Sequence, residues 1–81
     1  MFFVYVLWSS KLKKRYIGYS VDTDKRLKDH NKGKTPFTKS GMPWKLVYTE
    51  VYNDKASAIK RERFLKSGQG RKFLDNLGLQ D

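Results

Sequence analysis

Cysteine is missing from all 81 residues, so no disulfide framework and no cysteine-ligated zinc holds this small fold together. A reducing compartment is the natural setting, and the core must carry the structure alone. Long apolar runs are also missing. The longest, Met1 to Trp8, falls far short of the roughly 20 residues that span a bilayer. It has no basic stretch before it and no small-residue cleavage site after it, which argues against a secretory signal, so a cytoplasmic location is expected. Acidic side chains are scarce: eight Asp and Glu stand against eighteen Lys and Arg, a net charge of +10. So strong a positive field points to a polyanion, with nucleic acid favoured over a solvated face that serves solubility alone. No segment pairs a continuous basic face with a broad apolar one, so a membrane surface is not the expected partner.

What is present is aromatic: five Phe, five Tyr and two Trp supply large apolar areas to a core. A chain of this length buries only about 60% of its unfolded surface, so 1–81 is expected to form a single compact domain. Phe2 to Ser9 is continuously apolar and β-prone, which suits a strand covered on both faces, and 15–20 follows as its hairpin partner. Asp22 or Thr23 can cap a helix running to about Lys32, where Gly33 offers a left-handed stop. Residues 34–43 show no periodicity and are expected as a mobile basic loop. Trp44 to Tyr52 predicts a third strand, with Leu46, Tyr48 and Tyr52 on one face and Val47 and Val51 on the other. Asn53 and Asp54 supply caps for a helix through Lys66; Gly68 and Gly70 then act as breakers before a short helix over 71–77. The order β-β-α-β-α-α implies an α+β layered fold in which helices cover a three-stranded sheet.

Arg26 and His30, four positions apart, project from the same side of the first helix. An Arg fork and an imidazole so placed can hold one phosphate, or simply form an exposed polar face. Glu62 is more informative. At about 100° per residue, with Ala58 at zero, it falls at about 40°, between Leu65 at about −20° and Ile59 at about 100°. A carboxylate on that face needs a partner: either a divalent ion such as magnesium or a neighbouring basic side chain. Tyr5, Tyr16, Tyr19, Tyr48 and Tyr52 all fall in expected strands, where packing is their ordinary role. A tyrosine in a water-poor, cation-rich site can instead have its pKa lowered and act as a base.

Val4-Tyr5, then Tyr16-Ile17-Gly18, then Arg26, His30 and a distant helical Glu62 resemble the GIY-YIG endonuclease family. The resemblance spans nearly the whole chain and suits the short stand-alone bacterial branch, which is similar to the nuclease domain of the excision-repair excinuclease. The string Arg61-Glu62-Arg63-Phe64-Leu65-Lys66 strengthens it. It implies a small central antiparallel sheet flanked by helices. It also implies Tyr16 as general base, Tyr5 beside it to position or share that role, and Gly18 as the small residue that follows. Arg26 would sit on the scissile phosphate, His30 would be a phosphate ligand or proton-transfer partner, and Glu62 would hold one Mg2+ or Mn2+. Three positions depart from the family pattern: Phe3 replaces the first glycine, Tyr19 stands where excision-repair relatives carry a lysine, and Asn76 matches a late asparagine by position only. Lys39, with Lys34 in the same basic segment, can supply that charge to nucleic acid.

The expected activity is hydrolysis of phosphodiester bonds, in DNA rather than RNA. The alternative is a nucleic-acid-binding adaptor that kept the fold and basic surface without turnover. Residues 16, 26, 30 and 62 together favour the enzyme. With no separate recognition domain in view, targeting would rest on loose specificity, self-association or a protein partner.

Overall fold

The computed structural model describes residues 1–34 and 36–78; Thr35, inside the segment expected as a basic loop, and 79–81 at the end of the expected domain lie outside the described residues. The elements are β1 (Phe2–Ser9), β2 (Lys14–Ser20), α1 (Thr23–Asn31), α2 (Pro36–Lys39), β3 (Trp44–Tyr52), α3 (Lys55–Lys66) and α4 (Gly68–Asn76). This is the α+β fold with the expected order β-β-α-β-α-α, and α2 is a single turn added before β3. The sheet is antiparallel in the order β2-β1-β3. No helix among the described residues is long and apolar enough to cross a membrane.

The apolar run of β1 takes the centre, and Val4 through Ser9 are all buried. Alternation along the strand then divides the core between two faces. Val4 and Val6 pack with Ala58 and Leu65 of α3 and Leu74 of α4, while Tyr5 and Leu7 pack with Trp44, Tyr16 and Leu27 of α1. One departure from the expected alternation lies in β3. The β1–β3 register slips between Val6 and Leu7, pairing Val6 with Tyr48 but Leu7 with Leu46. This irregularity separates Leu46, packed on the Tyr5 face, from Tyr48 and Tyr52, packed on the Val4 face.

Asp22 caps α1 by accepting from the Lys25 N–H at 3.0 Å, and Asp54 caps α3 through Ser57 at 2.8 Å. Gly33 adopts φ 75 just beyond α1, as its position predicted. Gly68 and Gly70 do not break the chain before the last helix; they form its first turn, with Ser67 as the cap. Gly70 lies directly on the Phe64 carbonyl and the Leu65 backbone, a closeness that no Cβ would permit and that seats α4 against α3.

Residues 34–43 also depart from the loop expectation. They contain α2, and Thr38 within it is fully buried. Its carbonyl accepts from Trp44 Nε1 at 2.6 Å, and the Asn31 amide bridges both the N–H and the C=O of Trp44. Tertiary hydrogen bonds of this kind leave no local periodicity to read.

Gly18→Ala would place a Cβ 2.6 Å from the Tyr5 hydroxyl oxygen, whereas a Cβ at Gly68 meets nothing within 4 Å. Urea unfolding should show a loss of about 1–3 kcal/mol for Gly18→Ala. Gly68→Ala should be neutral or a gain of up to about 1 kcal/mol.

Candidate active site

Tyr5 lies directly opposite Gly18 in the β1–β2 ladder, and its ring crosses the space that a side chain at 18 would fill. The small residue of the Tyr-Ile-Gly string is therefore required by packing. Crossing there carries the buried Tyr5 hydroxyl to α1, where it meets His30 Nε2 at 3.2 Å. The other imidazole nitrogen, Nδ1, lies 2.7 Å from Thr38 Oγ1. Arg26, one helical turn before His30, faces the Tyr5 hydroxyl with its guanidinium. With that cation on the oxygen's lone pairs, the hydroxyl proton is directed to Nε2, and His30 carries its own proton on Nδ1 toward Thr38. Tyr16 completes the group, with its ring centroid 4.7 Å from that of His30 and 6.3 Å from that of Tyr5.

Burial lowers the His30 pKa below its ordinary 6.5, and the Arg26 charge lowers it further. Burial also raises the Tyr5 hydroxyl above its ordinary 10, although Arg26 pulls the other way. Tyr5 thus behaves opposite to the lowered pKa expected of a tyrosine base in a cation-rich site: desolvation outweighs the cation. His30 is fully buried with both nitrogens engaged, Tyr5 is buried with it, and the half-buried ring that lies against the imidazole is that of Tyr16.

Glu62 arrives from α3, on the other side of the sheet. Its side chain is 15% exposed, its Lys66 neighbour lies 3.3 Å away, and its charge is close enough to raise the Tyr5 hydroxyl pKa. Both readings of this carboxylate therefore stay alive, since the lysine is one turn away on the surface. The chemistry of the donor set fits a divalent ion of the magnesium kind. No group of three or more His, Cys, Asp or Glu forms a cage among the described residues, and a lone carboxylate leaves the remaining positions to water and phosphate oxygens.

Glu50 is the residue that sequence reading missed. Its two carboxylate oxygens accept from Arg61 Nε at 2.8 Å, Arg61 Nη2 at 3.1 Å, Tyr48 at 2.5 Å and Tyr52 at 2.7 Å. Burial alone would raise Glu50, but these donors more than offset it and hold the carboxyl below its usual range. Tyr52 is correspondingly pushed up to about 12, by its own burial first and then by the carboxylate it serves. The Arg61 guanidinium also lies 4.8 Å from the Phe64 ring centroid and 4.9 Å from that of Phe73, tying α4 into the same knot. Arg61 and Glu62 flank the buried stripe of α3 about 100° apart, so the clamp on β3 fixes the roll of the helix that carries Glu62. The signal was legible: Tyr-Thr-Glu-Val-Tyr puts an acid between two hydroxyls on one strand face.

The remaining candidates are more dispersed. Lys34 is drawn to Asp29 at 3.7 Å, and the Lys39 stem lies 3.6 Å from where a Gly33 Cβ would sit, so both stand at the α1–α2 end. Tyr19 packs into the Val4 face, away from Tyr5. Phe3 is half-buried opposite Ser20 and Val51. Asn76 is exposed at the end of α4, and no contact among the described residues joins it to Tyr5, Tyr16 or His30.

Two strands carry facing tyrosines, a helix brings Arg26 and His30 to them, and a second helix places Glu62 within electrostatic reach. The family model of the GIY-YIG catalytic domain matches residues 1–74, and the chain belongs to that family. Among its relatives are a UPF0213 protein of Syntrophus aciditrophicus, 41% identical over 66 residues that cover 79% of this chain and 75% of the relative, and one of Staphylococcus aureus, 38% identical over 73 residues covering 89% and 88%. The solution NMR structure of a UPF0213 protein from Bacillus halodurans superimposes with a TM-score of 0.57 at 32% identity, covering 95% of this chain and 85% of that one. Membership implies nuclease activity, and nucleases of this family generally depend on a divalent metal.

Two measurements probe this geometry. A His30 pKa lowered by folding means that protonation favours the unfolded chain, so the stability it contributes is full above about pH 6.5 and is lost as pH falls toward the lowered value. The thermal midpoint should fall between pH 7.5 and 5, and the slope should flatten in His30→Gln. Glu50→Ala would leave Arg61, Tyr48 and Tyr52 without their shared acceptor, and chemical denaturation should register a loss of about 2–4 kcal/mol.

Proposed function

We propose that this chain is a metal-dependent endonuclease that hydrolyses phosphodiester bonds in DNA, acting as a single domain in the cytoplasm. The observation that carries the reading is the convergence of Tyr5, Tyr16, Arg26 and His30 around one buried hydroxyl, with Glu62 within electrostatic reach. DNA is favoured over RNA because the site residues resemble those of the excinuclease domain. The charge of +10 supplies the attraction to phosphate.

In this reading the Tyr16 oxygen, having given its own proton to solvent, takes the proton from the attacking water as the new P–O bond forms and the P–O bond to the leaving oxygen breaks. Tyr5 keeps its own proton, since burial raises its pKa, and serves to hold Tyr16 and Arg26 in register. Arg26 meets the scissile phosphate and balances the charge that develops on its oxygens. His30 orients the Tyr5 hydroxyl, which donates to its Nε2, and lies against the Tyr16 ring. Of the two family roles for His30, direct phosphate ligation is the one that its enclosure disfavours. Glu62 would hold Mg2+ or Mn2+, which supplies charge stabilisation to the departing oxygen when bound.

Purified wild type should cut labelled single-stranded, duplex, flap or branched DNA only when magnesium is present. Glu62→Ala and Tyr16→Phe should each lower the cleavage rate by about 10²–10⁴-fold while DNA binding stays within about twofold, because surface cations dominate affinity. A wild type that binds all four substrates and cuts none would make the chain a binding adaptor. Binding should also fall steeply as salt rises, and a salt-independent Kd would count against the basic surface.

A further inference from the structure

Tyr16 turns its ring to the Tyr5 and His30 face of the sheet, and the other face of β2 is lined differently. It borders an open pocket of about 570 Å³ formed by the end of the β1–β2 hairpin, the last turn of α3 and one side of α4. That volume is in the range of pockets that take small molecules, about 300–1,000 Å³. The lining has two parts. Trp8, Ile17, Leu65 and Leu74 make an apolar portion on the Val4 face of the sheet, and Lys13, Lys14, Lys66 and Arg71 supply cations. Arg15 lines it as well but is already committed to Asp75 at 2.8 Å, and Lys66 to Glu62 at 3.3 Å. Lys13, Lys14 and Arg71 are exposed, and none of the three forms an ion pair among the described residues.

Lys13 is also the non-glycine residue that the described backbone holds at positive φ, 55. Glycine occupies such a position without strain, so a lysine there costs the fold something and places a cation at the pocket mouth.

An apolar pocket among cations, across β2 from the residue assigned to activate water, suits a particular form of nucleic acid. Duplex DNA keeps its bases stacked and paired inside and presents phosphates to a protein surface, which would leave the apolar portion unfilled. An unpaired nucleotide offers both halves at once: a base with an apolar face and flanking phosphates. We infer that the pocket between the β1–β2 hairpin and α4 receives an unpaired nucleotide of the substrate strand, on the face of β2 opposite the Tyr5 and His30 cluster, and so directs the enzyme to single-stranded segments. The inference rests on the nuclease reading above for the identity of the ligand as nucleic acid. Lys13, Lys14 and Arg71 hold the phosphates, and the base rests against Ile17 and Trp8.

The test measures binding separately from cutting. Fluorescence anisotropy in metal-free buffer compares a labelled single strand with a hairpin duplex of the same composition. The proteins are wild type, Lys13→Gly/Arg71→Ala, and the charge-matched control Lys55→Ala/Lys60→Ala on the exposed side of α3. Wild type should bind the single strand about tenfold or more tightly than the duplex. Lys13→Gly/Arg71→Ala should lose about tenfold on the single strand and little on the duplex, and the control should lose no more than about threefold on either. Lys13→Gly alone should keep or raise the thermal midpoint while weakening single-strand binding, so that misfolding cannot imitate the result. Equal losses on both substrates, or a pocket variant no worse than its control, would overturn the proposal. If wild type prefers duplex yet cuts it with magnesium, the pocket assignment fails and the nuclease reading stands; if it binds no nucleic acid, both fail.

Discussion

The crossing of Tyr5 over Gly18 is the contact on which the site depends. The central strand of a three-stranded sheet is closed in by helices on both faces, so a polar group placed there must find its partners inside the protein or go unsatisfied. Tyr5 finds them by running across the one position of β2 that has no side chain, which brings its hydroxyl to His30 and its ring toward Tyr16. The same requirement orders the segment after α1, since His30 needs Thr38 for its second nitrogen and Thr38 is buried only because α2 folds back over the imidazole. The geometry of the candidate site and local packing are here one arrangement. Any substitution that loosens Tyr5 should disturb both.

A second constraint acts from the other face. Glu62 and Arg61 sit on either flank of α3, and Arg61 is locked to β3 by Glu50. A roll of about 10° in that helix would shift a group about 6 Å from its axis by about 1 Å, a displacement that typically costs about a hundredfold in rate. A carboxylate with little exposure and four donated hydrogen bonds resists that roll far better than surface ion pairs such as Lys66 with Glu62. The family string around Glu62 therefore combines the metal candidate with the residue that aims it.

Much of the fold could be read from the chain because its elements rest on local signals. The apolar run of β1, the caps Asp22 and Asp54 and the stop at Gly33 each act within a few residues. What escaped depends on distant partners. The slip beside Leu46 answers to the pairing with β1, α2 forms because Thr38 and Trp44 are held from outside it, and Gly70 belongs inside α4 because Phe64 and Leu65 lie against it. In the site, the residue types and spacing identified Tyr5, Tyr16, Arg26, His30 and Glu62 as candidates, and the structure gathers Tyr5, Tyr16, Arg26 and His30 into direct contact while bringing Glu62 in from the opposite layer. Burial was the hidden variable: it keeps Tyr5 protonated and removes His30 from the surface, neither of which spacing alone conveys.

The central claim is that water, activated at Tyr16, is the group that attacks phosphorus. A single-turnover reaction in 18O-labelled water, followed by mass spectrometry of both the nucleic acid and the protein, tests it most directly. The account predicts one 18O in the phosphate of the product end and no nucleotide attached to the protein. Cleavage with the label absent from that phosphate and a phosphotyrosyl adduct at Tyr16 or Tyr5 would contradict it.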